Sequence, residues 1–187
     1  LHQEHNYVGG ELRAAHRRIA HLAGESWIEA ADDRERGYRQ ALASWDVPVD
    51  ENLIMRGGWT IHGGRDLTTR LLDMPNPPTG IFAFNDRMAV GAYGALQARG
   101  LRVPDDLSVI GFDNVPESAL VTPPLTTIAQ PLQQMGAEAL RLLVDLIDGK
   151  ERPVHGRLPT ELVERSSTAP PRPRRRSPRL APTRVAD

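Results

Sequence analysis

The stretch TGIFAFNDRMAVGAYGALQARGLRVPDDLSVIGF, residues 79–112, decides the fold. It opens on an apolar run, 79–84, turns polar at Asn85 and Asp86, and continues as a helical pattern that Gly100 stops. A second apolar run, 107–112, follows. Strand, helix and strand in this order make a β–α–β unit. Strands that read as apolar runs between helices belong to a parallel sheet covered on both faces.

The same alternation extends in both directions. Upstream, IAHLAG (19–24) precedes a helical pattern over 32–45 in which Tyr38, Leu42 and Trp45 recur on one face. NLIMRG (52–57) precedes GGRDLTTRLLDM (63–74), where Leu67, Leu71 and Leu72 line up. Downstream, QPLQQMGAEALRLLVDLIDG (130–149) aligns Leu132, Met135, Leu143, Leu146 and Ile147 before Gly149, and LPTELVER (158–165) reads as a last strand. The expected class is α/β, a parallel sheet flanked by helices. From residue 169 the chain runs APPRPRRRSPRLAPTRVAD, too poor in large apolar residues to order itself, so 169–187 is expected to be a disordered Pro/Arg tail.

Composition narrows the chemistry. A length of 187 residues suits one domain or slightly more, and the absence of cysteine excludes disulfides, thiol catalysis and iron–sulfur clusters. No apolar run approaches the length of a membrane span, and no export signal opens the chain, so no membrane partner and a cytoplasmic location are expected. The tail carries six Arg against one Asp, which leaves the body 1–168 near −6 and a poor binder of polyanions. There is no G-x-S-x-G, no Walker A loop and no G-x-G-x-x-G after a strand. The six histidines, at 2, 5, 16, 21, 62 and 155, form no metal-binding helix pair, so neither a metal nor a cofactor is expected.

In open parallel sheets, ligands bind beyond the carboxyl ends of the strands, where helix N-termini converge. There the sequence places Asn85 and Asp86, Asp113 and Asn114, Trp59, and Arg34 at the opening of the helix after the first strand. Carboxylates accept hydroxyl hydrogens, Arg donates a fixed fork, and an indole packs on the C–H face of a sugar ring, so the set suits a polyhydroxylated ligand. Each residue also has a plainer reading. Asp86 reads as the structural cap of its helix, whereas Asn85 has less structural excuse. Asp113 reads equally as an Asx-turn residue, Trp59 as a packing residue, and Arg34 as a partner of Asp32, Asp33 or Glu35. Asp86 with Asp113 would be the carboxylate pair of a carbohydrate hydrolase, though nothing keeps one of them protonated in the sequence.

The blocks HRRIAHLAGES, RERGYRQAL, FNDRMAVGA, LSVIGFDNVP, PPLTTIAQP and LPTELVERSST resemble the lactose-repressor/galactose-repressor (LacI/GalR) family of transcription regulators over roughly 17–168. The resemblance implies a type I periplasmic-binding-protein-like sensor of two lobes, a non-enzymatic homodimer that clamps a sugar or nucleobase-like effector and reports to a helix-turn-helix. It implies effector contacts at Arg34, Asn85, Asp113 and Trp59, with Gln130 near the crossover between lobes. By the same resemblance 1–16 is the remnant of an N-terminal-lobe helix, 17–168 is mainly the C-terminal lobe, and 130–149 belongs to the N-terminal lobe. The helix-turn-helix and most of that lobe are expected to be missing, so operator DNA would be reached only through the absent part. The apolar stripe of 130–149 then lacks its partner, at a cost on the order of 10 kcal/mol for five such side chains. A sugar-binding receptor of an ABC-type transporter shares the fold and is the alternative.

Overall fold

The computed structural model describes residues 16–150 and 156–172. The proposed helix remnant at 1–16 lies outside them apart from His16, as does 173–187 of the proposed tail.

Four strands form one parallel sheet: β1 (Ile19–Ala23), β2 (Ile54–Arg56), β3 (Gly80–Ala83) and β4 (Ser108–Ile110), in the order β2-β1-β3-β4. Register is fixed through the centre, where His21 faces Ile54 on one side and Phe82 on the other, and Phe82 faces Ile110. Alternate side chains go to opposite faces. Ala20, Leu22, Ile81, Ala83 and Val109 enter one core, while Ile19, Phe82 and Ile110 enter a second with Tyr38, Leu42 and Val47. Both faces are therefore covered, as the apolar runs required.

Three helices do the covering. Helix α1 (Glu29–Ser44) lies over the second core, and α2 (Ile61–Leu72) and α3 (Asp86–Ala98) over the first. Two glycines let α2 and α3 touch backbone to backbone. A Cβ on Gly91 would stand 2.0 Å from the Ile61 carbonyl oxygen, and one on Gly64 would stand 2.2 Å from that of Met88.

Several local expectations need correction. Helix α1 starts at Glu29 rather than 32, so Arg34 sits in its second turn and does not open it. Trp45 is the exposed C-cap of α1 and leaves the face formed by Tyr38 and Leu42, because the helix ends one residue short of it. The cap of α3 is Asn85, not Asp86: the Asn85 Oδ1 accepts the Met88 N–H at 2.8 Å, and Asp86 is already the first helical residue. The final strand, β6, is only Glu161–Val163, and it runs antiparallel to β5 (Thr127–Ala129) in a separate pair. β5 itself lies alongside the exit of β4, bridging Ile110 to Thr126 and Asp113 to Ala129.

Of the segment expected to be tail, 169–172 is described. The Ala169 N–H donates to Ser108 Oγ at 3.1 Å, and its carbonyl accepts from that hydroxyl at 2.9 Å and meets a His16 ring nitrogen at the same distance. Helix α4 (Leu132–Ile147) buries little apart from Asp145, and its apolar side chains, including Leu140 at 63% and Ile147 at 75%, face outward. No described helix is long and apolar enough to cross a membrane.

Candidate functional site

The carboxyl ends of β3 and β4 meet at Arg34 of α1. Its NH1 donates to the Phe84 carbonyl at 2.7 Å, and its NH2 reaches Asp113 Oδ1 at 3.4 Å. The guanidinium lies over two aromatic rings, 4.4 Å from the Phe84 centroid and 3.8 Å from that of Phe112. A planar cation held against two ring faces and fixed by a carbonyl has little rotational freedom left. Phe84 and Phe112 each end the apolar run of a parallel strand, so strand pairing alone brings them together. Of the acidic neighbours weighed as partners of Arg34, Asp33 pairs with Arg36, and Glu35 with Arg39 and Arg56.

Asp113 accepts a second, shorter hydrogen bond from Gln130 Nε2, at 2.6 Å. Gln130 can reach it because β5 runs beside Asp113 and ends at Ala129, one residue earlier. Both bonds use Oδ1; Oδ2 has no partner among the described residues. The Asx-turn reading of Asp113 finds no support, since its carboxylate's hydrogen bonds among the described residues run to the side chains of Arg34 and Gln130. Burial pushes its pKa up, and Arg34 and Gln130 pull it back down.

The backbone here is strained in the sense that favours glycine: Asp113 has φ 111° and Asn114 φ 56°. Its surroundings hold it there. The Asp113 N–H donates to the Ile128 carbonyl at 2.8 Å, and Arg165 fixes Asn114 Oδ1 at 2.7 Å and the Leu125 carbonyl at 2.6 Å. Asp86, fully buried, accepts the Val115 N–H at 2.9 Å and the Thr127 hydroxyl at 2.5 Å. Burial raises Asp86 to about 6 despite those two donors, with the Asp113 charge adding to the rise. Its place is therefore structural, as the bolt joining α3, the 113–115 turn and β5. Such over-determined backbone outliers cluster at ligand sites.

Asn85 is buried, and both ends of its amide have protein partners. Its Oδ1 caps α3, and its Nδ2 donates to the Trp59 carbonyl at 3.1 Å, which ties the β2–α2 loop to the end of β3. Trp59 itself is 45% exposed and meets Trp27, 72% exposed, edge to face with centroids 5.6 Å apart. The structure brings Arg34, Asp113 and Gln130 into one bonded cluster, and joins Asn85 to Trp59. The two groups are linked through the adjacent residues Phe84 and Asn85.

Sequence reasoning missed Phe84, Phe112, Trp27 and Arg165. The first two carried a signal, since each directly precedes a polar strand-end pair. Arg165, 142 positions beyond the end of β1 at Ala23, carried none. No group of His, Cys, Asp and Glu among the described residues forms a metal site.

These features define an α/β lobe with a bonded polar cluster at the carboxyl ends of its strands, where ligands bind in open parallel sheets. Residues 12–168 match the model of the periplasmic binding protein-like domain. The HTH-type transcriptional regulator DegA of Bacillus subtilis (strain 168) is 43% identical over 85% of this chain and 47% of its own length. The HTH-type transcriptional repressor CytR of Escherichia coli (strain K12) is 43% identical over 82% and 45%. Among solved structures, the complex of the transcriptional regulator CelR with cellobiose superposes with a TM-score of 0.83 at 36% identity, covering 88% of this chain and 50% of that one. The chain belongs to the periplasmic binding protein-like family, in the form found in LacI-family regulators. It spans about half the length of the curated relatives it matches.

Proposed function

We propose that this chain is the effector-sensing part of a LacI-type transcription regulator, and that Arg34, Asp113 and Gln130 hold a polyhydroxylated effector, a sugar. The observation that carries the reading is Asp113, a carboxylate on strained backbone whose Oδ1 is anchored by Arg34 and Gln130 while Oδ2 is left for a ligand. Such a group accepts hydroxyl hydrogens with no reorganisation on binding. Trp59 adds an apolar wall, and Asn85 positions it. Supporting the sugar assignment, the neighbour CelR is described with cellobiose, and supporting the regulatory role, DegA and CytR are HTH-type regulators.

In the full-length protein the effector closes two lobes on itself and so shifts a homodimer in the cytoplasm between two conformations with different affinity for operator DNA. The effector acts through its differential affinity for the closed form, not through chemistry, so no turnover is expected. Arg34→Ala and Asp113→Ala in the full-length regulator should each weaken the effector response by about 1–3 kcal/mol, the cost of losing a charge-assisted hydrogen bond and stranding its partner. A reporter gene titrated with effector measures this. Unchanged induction in both variants would overturn the assignment.

A further inference from the structure

At the amino-terminal end of the sheet the structure leaves a cavity of about 240 Å³, between the start of β1, the C-terminal half of α1 and the segment 47–53 that leads into β2. Its apolar wall is Ile19, Tyr38, Leu42, Val47 and Leu53, none more than 6% exposed, and the first four belong to the second core. Packed interiors leave few voids larger than a water molecule, and an apolar space of about 150 Å³ is enough for a benzene ring. Water gains little in such a space, because the wall's one hydroxyl, on Tyr38, already donates to the Ile19 carbonyl at 2.8 Å.

The cavity is distinct from the effector cluster. Phe84, Phe112 and Asp113 follow the carboxyl ends of their strands, whereas Ile19 opens β1 and Leu53 precedes β2. Arg34 sits in the second turn of α1, and Tyr38 and Leu42 lie one and two turns further along. The two sites share no residue.

Charge at the rim selects the ligand. Arg17, Arg18 and Asp50 line the cavity together. Arg18 is committed within the fold: its Nη1 donates to Asp50 Oδ2 at 3.0 Å and its Nε to the Asn76 carbonyl at 3.1 Å. Arg17 is exposed, donates from Nη1 to the neutral Trp45 carbonyl at 3.2 Å, and meets no carboxylate among the described residues. One positive charge is therefore in excess beside an apolar hollow. A guanidinium takes a carboxylate fork on fork, whereas a dianion such as a phosphate monoester would set its second charge against Asp50.

We propose that this cavity is a second ligand site, for a small apolar monocarboxylate whose hydrocarbon body lies among Tyr38, Leu42 and Val47 and whose carboxylate pairs with Arg17. It stands apart from the sugar-sensor reading and does not fall with it. The test is calorimetric titration of the full-length protein with benzoate, phenylacetate and 4-methylpentanoate, each against its neutral amide. At least one acid should bind with a Kd of about 1 mM or tighter, and about tenfold tighter than its amide. Arg17→Gln, a change at the surface, should bring the acid to the affinity of the amide and melt at the wild-type temperature. Val47→Phe fills the cavity and should abolish binding of both; should that variant fail to fold, Arg17→Gln decides alone. No binding by any of the acids at about 10 mM, an acid and its amide binding alike, or an Arg17→Gln variant that binds the acid as the wild type does overturns the proposal.

Discussion

At the residue scale, the strand-end rule picked out Arg34, Asn85, Asp86 and Asp113 but not their division of labour. Arg34 and Asp113 bond to each other, and Gln130, which only the family resemblance had pointed to, bonds Asp113; the helix cap expected at Asp86 falls on Asn85, and Asp86 is a buried acceptor. Both are favoured N-cap types, so composition could not separate them by one position; only the Asn85 bond to the Met88 N–H does. Below the site, His21 is a buried neutral imidazole stacked between Tyr38 and Phe82, with Nδ1 against the Phe82 carbonyl. Burial lowers its pKa to about 4; the Phe82 carbonyl and Glu35 oppose the fall, and Arg56 and Arg34 assist it. Because the unfolded chain takes up the proton first, near 6.5, this residue's contribution is intact above that pH and is lost as pH falls toward 4. The loss amounts to about 3 kcal/mol. His21→Phe keeps the stack and removes the titration. Denaturant unfolding of both proteins should therefore show the variant gaining on the wild type by about that amount between pH 7 and pH 4. A constant difference across the range would mean that His21 does not stay neutral in the fold.

At the element scale, the order of strands and helices was legible because each apolar run was bounded by a turn or a helix start, and 79–112 alone implied the parallel sheet. The end of the chain was harder. β5 has only three residues, hidden between two prolines and a Gln-Pro, and its antiparallel pairing with β6 depends on a partner over thirty residues away. Nor did periodicity reveal how closely α2 and α3 approach, because a glycine in a helical pattern looks the same whether it is crowded or open. Gly91 and Gly94 separate the cases. Gly91→Ala drives a methyl into the Ile61 carbonyl and should destabilise by about 1–3 kcal/mol. Gly94→Ala, on the same helix with nothing within 4 Å, should stabilise by about 0.4–1 kcal/mol. Denaturation midpoints of the pair are the check, and equal effects would refute the close crossing.

At the scale of the whole molecule, the outward stripe on α4 is the feature the sequence announced most clearly, since Leu132, Met135, Leu143, Leu146 and Ile147 recur without a matching surface in the sheet they follow. Side chains that size contribute about 1.5–3 kcal/mol each when covered, so the stripe needs a partner surface. The 187-residue chain on its own should self-associate in sedimentation velocity, and Leu140→Glu with Leu143→Glu and Ile147→Glu should return it to monomer. A wild-type monomer with full hydrogen-exchange protection along α4 would contradict this. What the sequence could not convey was that the site is a bonded assembly from four separate stretches: the second turn of α1, the ends of β3 and β4, and the residue after β5. The most direct test is a crystal structure of the full-length protein grown with its inducing sugar. A ring should sit with hydroxyls on Asp113 Oδ2 and the Arg34 guanidinium; an effector bound elsewhere, with the Arg34–Asp113–Gln130 cluster untouched, would contradict the account.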